Sequence, residues 1–210
     1  MSGILDLLNS DLGKSLVSGV AGQTGQDQNK TNNLLGMALP VLMQAMNRNA
    51  STPEGAQGLQ NALANKHDGS ILDDLGSFFQ GGVDNDVIND GSKILNHVLG
   101  QKQNNVEQAL SQKSGIDANS VSQILKMATP LLMGYLGKQQ RSNNVSNSSD
   151  LTSMLGGLLQ SNSSGQEQNF LTSMLDADGD GSIVDDVAGM FLDSNKNKGG
   201  LSGMLDNFLK

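Results

Sequence analysis

Apolar residues recur along this chain at helical spacing, and one such pattern occurs twice. In residues 31–46, TNNLLGMALPVLMQAM, the apolar positions Leu34, Leu35, Ala38, Val41, Leu42 and Ala45 follow a period near 3.6. In residues 120–137, SVSQILKMATPLLMGYLG, Ile124, Leu125, Ala128, Leu131, Leu132 and Tyr135 do the same. Met37, Ala38, Pro40, Leu42 and Met43 reappear without a gap as Met127, Ala128, Pro130, Leu132 and Met133. The pattern predicts a duplicated amphipathic helix. A mid-helix proline removes one backbone hydrogen bond and costs about 3 kcal/mol. Each copy is therefore expected to kink, or to break into two short helices.

Weaker helical patterns surround these two. Leu12, Leu16, Val17 and Val20 form one, and Asp27 or Thr31 can cap the first duplicated helix. Thr52 followed by Pro53 is a helix start. Ile71, Leu72, Leu75, Phe78 and Phe79 define the next apolar face, with Ser70 and Asp73 spaced as a capping box. A helix over 87–99 should stop at Gly100, a short one follows over 106–110, and Asp117 caps the second duplicated helix. Residues 138–149 turn polar and read as a linker. Beyond it LTSML at 151–155 recurs as LTSML at 171–175, with a weaker version, LSGML, at 201–205. No segment alternates with the period of 2 that marks a half-buried strand. The expected fold is all-α: a duplicated helical domain over 1–137 (units about 1–80 and 81–137), a polar linker over 138–150, and a tail of short apolar helices over 151–210.

Composition narrows the function classes. Aromatic residues are 3% of the 210 and Trp is absent, so the core must be aliphatic. Gly numbers 26, above the usual share of about 7%, which favours small helical units. The formal net charge is −8, and the few basic residues are scattered. No basic stripe is present to neutralise phosphates or an anionic membrane surface, so nucleic acid is not an expected partner. With no cysteine, disulfides, thiolate zinc sites and cysteine nucleophiles are excluded. The N-terminus lacks a signal-peptide pattern, and the longest apolar runs fall short of the roughly 18–20 residues that span a bilayer. No transmembrane segment is expected, and a cytoplasmic location is the default.

The Ser-Gly-Ile-Asp turn at 114–117, the ILKMATPLLMGYLG helix after it and the DGSILDDLG element at 68–76 resemble the YidB-like bacterial family, domain of unknown function 937. The likeness covers roughly residues 1–140, and the DGS element returns in the tail. It implies an all-helical fold and brings no activity, substrate or catalytic residue.

One stretch carries candidate chemistry. Residues 176–187, DADGDGSIVDDV, place Asp176, Asp178 and Asp180 at positions 1, 3 and 5 of a calcium loop. Gly181 stands at the sharp turn, and Ser182 can offer its carbonyl at position 7. Alternate carboxylates suit calcium because a tightly turned loop points every second side chain at one hard cation. Position 12, where a bidentate Glu belongs, is Val187, which leaves Asp186 as the candidate closing ligand. Such a site implies a weak Kd, on the order of 10⁻⁴–10⁻³ M. A turn-and-cap reading stands beside it. HDGSILDD at 67–74 aligns with 179–186, and there Ala64 and Lys66 replace Asp176 and Asp178. The shared DGSxxDD core therefore has a use that needs no metal.

Other motifs carry less. Gly13-Lys14-Ser15 has Leu8 where a phosphate loop needs its first Gly, and no strand precedes it. His67 and His97, the two histidines, lack a neighbouring nucleophile or metal partner and are expected in surface or capping roles. The 10 methionines fit apolar helix faces. The expected function is a non-enzymatic interaction or structural module, with a protein partner or self-association, and calcium as its one candidate cofactor. The alternative is a hydrolase or cell-envelope-associated enzyme using carboxylates such as Asp185 and Asp186.

Overall fold

Two long helices carry the architecture seen in the computed structural model, which describes residues 4–160. In chain order the helices are α1 (Ile4–Asn9), α2 (Asp11–Thr24), α3 (Gln28–Asn49), α4 (Pro53–Asn65), a 3₁₀ turn (Ser70–Leu72), α5 (Leu75–Phe79), α6 (Asn85–Leu99), a second 3₁₀ turn (Gly100–Lys102), α7 (Gln103–Ser114), α8 (Ala118–Ser142) and α9 (Ser148–Gln160). No strand occurs among the described residues, and the fold is all-α.

Caps set the ends of the long helices. The Asp27 carboxylate accepts from the Asn29 and Lys30 amides at 2.9 and 3.0 Å, opening α3. Asp117 accepts from the Ser120 amide at 3.0 Å, opening α8. Each satisfies amides that a helix start leaves without an intrahelical partner. Thr52 caps α4 in the same way, accepting from the Gly55 amide at 3.1 Å, with Pro53 in the first turn. Gly25 and Gly115 end α2 and α7 with positive φ of 65° and 67°.

Neither proline breaks its helix: α3 runs through Pro40 and α8 through Pro130. The reason is burial. Leu34, Leu35, Ala38, Leu39, Val41 and Leu42 in α3, and Ile124, Leu125, Ala128, Leu131 and Leu132 in α8, are almost wholly buried. Burial of a Leu or Ile side chain contributes about 1.5–3 kcal/mol, so several together outweigh one lost hydrogen bond. The carbonyl that Pro130 leaves free is that of Lys126, and α6 covers it. A Cβ on Gly91 would lie 1.9 Å from that oxygen, so only glycine lets the α6 backbone come so close.

α8 touches α2, α3, α4, α6, α7 and the first 3₁₀ turn. One apolar cluster runs from Ile4 to Leu158. The polar stretch from Lys138 continues α8 as far as Ser142, and α9 then returns onto α3 and α4. Its inward face is Leu151, Met154, Leu155 and Leu158, all buried. No described helix is long and apolar enough to cross a membrane.

Candidate functional site

The calcium-loop candidates Asp176, Asp178, Asp180, Ser182 and Asp186 lie outside the described residues. The aligned element at 67–74 lies within them, and it shows what the DGSxxDD core does structurally.

Ser70 and Asp73 do not form the expected capping box. Asp68 instead accepts from the Ser70 amide at 3.0 Å and the Ser70 hydroxyl at 2.7 Å, closing a tight turn over Gly69. Gly69 has φ 99°, a conformation L side chains rarely adopt. The chain then makes one 3₁₀ turn, and Asp74 caps α5 through the Ser77 amide at 3.0 Å. The helical pattern read continuously from Ile71 to Phe79 is thus split at Asp73–Asp74, with Leu72 and Leu75 buried and Ile71, Phe78 and Phe79 partly so. The Ser70 hydrogen bonds, assisted by Arg141, hold the Asp68 carboxyl below the usual carboxylate range. Those from Ser77 do the same for Asp74.

This element is seated on a glycine face of α8. A Cβ at Gly137 would come within 1.9 Å of the His67 carbonyl oxygen, and one at Gly134 within 2.6 Å of Ile71 Cγ2. Gly69 in turn sits against Gly134 and Lys138. Two exposed ion pairs flank the seat: Asp68 with Arg141 at 3.4 Å and Asp73 with Lys138 at 3.8 Å. At the far end Phe79 lies on Gly19 of α2, and Gln23 donates to the Phe79 carbonyl at 2.8 Å. The Phe78 and Phe79 rings meet edge to face, 4.9 Å apart.

His67, expected in a surface or capping role, is only 6% exposed. The close approach to Gly137 draws the turn inward and carries the imidazole with it. Its Nε2 lies 3.4 Å from Asp90 of α6, whose carboxylate also pairs with Lys66. Burial holds the His67 pKa below its ordinary value, against the pull of Asp90. His97 is exposed in the last turn of α6. Among the described residues, Glu107 of α7 is a buried acid. It accepts from Gln103 at 2.7 Å and from Ser122 at 3.1 Å.

A shallow cleft of about 460 Å³ lies between the end of α3 and the start of α9, lined by Asn47, Ala50, Ser51, Ser148, Ser149 and Thr152. None of these side chains is ionisable. Among the described residues no three His, Cys, Asp or Glu side chains cluster as metal ligands would. What the arrangement can do is dock: a glycine face, a positive-φ turn and two charge pairs hold one acidic segment in register.

A family model described as bacterial protein of unknown function (DUF937) matches residues 6–139. No curated protein and no solved structure matches the chain.

Proposed function

The chain belongs to this bacterial family of unknown function, and we propose that it is a non-enzymatic interaction module whose repeated acidic and apolar segments dock on helical faces. One observation carries the reading: in the described DGSxxDD element every acidic side chain holds a turn, a cap or an ion pair. That element docks on α8, and the tail repeats it at 180–191. The compartment that fits a module of this kind is the cytoplasm.

The tail adds weak calcium binding through Asp176, Asp178, Asp180, Ser182 and Asp186. Support comes from the contrast between the copies. Asp68, Ser70 and Asp74 have structural work, and Asp180, Ser182 and Asp186 are their counterparts in the sequence. Asp176 and Asp178 stand where that copy has Ala64 and Lys66, so the described element folds without carboxylates at those places. Carboxylates added to an acidic loop repel one another unless a cation sits between them. Calcium titration of the full chain by calorimetry tests this. We expect binding with Kd on the order of 10⁻⁴–10⁻³ M, lost in Asp176→Ala and Asp178→Ala. No heat at millimolar calcium would return the loop to turn and cap.

A further inference from the structure

The seat on α8 reads a short sequence, and the chain carries that sequence twice. The seat needs a backbone that can lie on Gly137, a glycine at the positive-φ turn, and an isoleucine against Gly134. It needs carboxylates facing Arg141 and Lys138, and a phenylalanine for Gly19. The resident meets these needs with His67, Asp68, Gly69, Ile71, Asp73 and Phe79. The tail offers Gly179, Asp180, Gly181, Ile183, Asp185 and Phe191 in the same order and spacing. Ile183 and Phe191 fall where the seat takes Ile71 and Phe79. α3 offers no equivalent seat, because Gln44 and Asn47 stand where the duplicated pattern of α8 has Gly134 and Gly137.

We infer that residues 180–191 are a second occupant of the Gly134–Gly137 seat of their own chain, exchanging there with residues 68–79. The inference rests on the docking reading above and names the site and its ligand. The resident is the major occupant. α4 delivers it directly to the seat, and His67 adds the Asp90 contact that Gly179 lacks. Both ion pairs are exposed, so they fix orientation more than affinity. About 20 residues separate α9 from the tail element, spanning roughly 25 Å at coil dimensions. α9 itself rests on α3 and α4, and α4 leads into the resident.

The absence of cysteine makes engineered pairs a clean test in the full chain. Gly69→Cys with Lys138→Cys reports the resident, since a Cβ at Gly69 would stand 3.1 Å from that of Lys138. Gly181→Cys with Lys138→Cys reports the tail. Ser164→Cys and Gly199→Cys, each with Lys138→Cys, give the rate of chance encounter. We expect the tail pair to close within single chains about fivefold faster than either control. Ser70→Ala, which loosens the resident turn, should raise that rate by a similar factor, and Ser182→Ala should lower it. Closure at the control rate, indifference to both serine changes, or bonds formed only between chains would overturn the inference. Should cysteine at the positive-φ glycine impair folding, Asp73→Cys or Asp185→Cys with Lys138→Cys, bridged by a short bifunctional thiol reagent, repeats the comparison with every glycine of the seat in place. A resident pair that fails to close overturns the docking reading itself; a resident that closes beside a tail that does not overturns only the second occupant.

Discussion

His67 shows how a single side chain can record a contact made far along the chain. The Gly137 approach buries it, and burial favours the neutral imidazole. Its folded pKa is lowered, so between that value and about 6.5 the unfolded chain binds more protons than the folded one. Stability is then fully present above pH 6.5 and falls as the pH drops through that window. Urea unfolding followed by circular dichroism from pH 7.5 to pH 5 should show this loss, and His67→Asn should flatten it. An unchanged slope in the variant would assign the loss to other groups. The caps at Asp27 and Asp117 are legible in the sequence, because a carboxylate before a helical pattern acts within its own turn. The burial of His67 is not, because the glycine responsible, Gly137, lies on another helix.

Helix positions are equally legible, but the fate of the prolines is not. Local propensity predicts a kink or a break at Pro40 and Pro130, and the buried faces on both sides of each proline keep the helix unbroken. The DGS element fails in the opposite sense: its clean apolar spacing implies one helix, while Asp68 and Asp74 each claim backbone amides and split it. Of the calcium loop, the sequence shows the alternation of carboxylates but not their geometry, and the described copy carries counterparts of Asp180, Ser182 and Asp186 but none of Asp176 and Asp178. At this scale the α6–α8 contact makes the sharpest prediction. Gly91→Ala should destabilise the protein by about 3 kcal/mol, because the new methyl meets a backbone carbonyl that cannot move aside. Gly58→Ala in α4 meets nothing within 4 Å and should stabilise by about 0.5–1 kcal/mol. Denaturant midpoints measure both, and equal effects would mean that α6 does not lie this close to α8.

For the whole molecule the decisive fact is that α8 adjoins most other helices yet comes late in the chain. A chain ended at Gln160 should keep a cooperative urea transition. One ended at Asp117, which lacks α8, should lose it. A sigmoidal transition in the shorter chain would show that the first half has a core of its own. The position of α8 also sets a timetable for synthesis. At about 5–20 residues per second, the ribosome needs roughly one to five seconds to extend the nascent polypeptide from Asp117 through α8. Throughout that interval the greasy sides of α2, α3, α4, α6 and α7 that α8 will cover lack its shelter, which makes the newborn chain a client for whatever holdase waits at the exit.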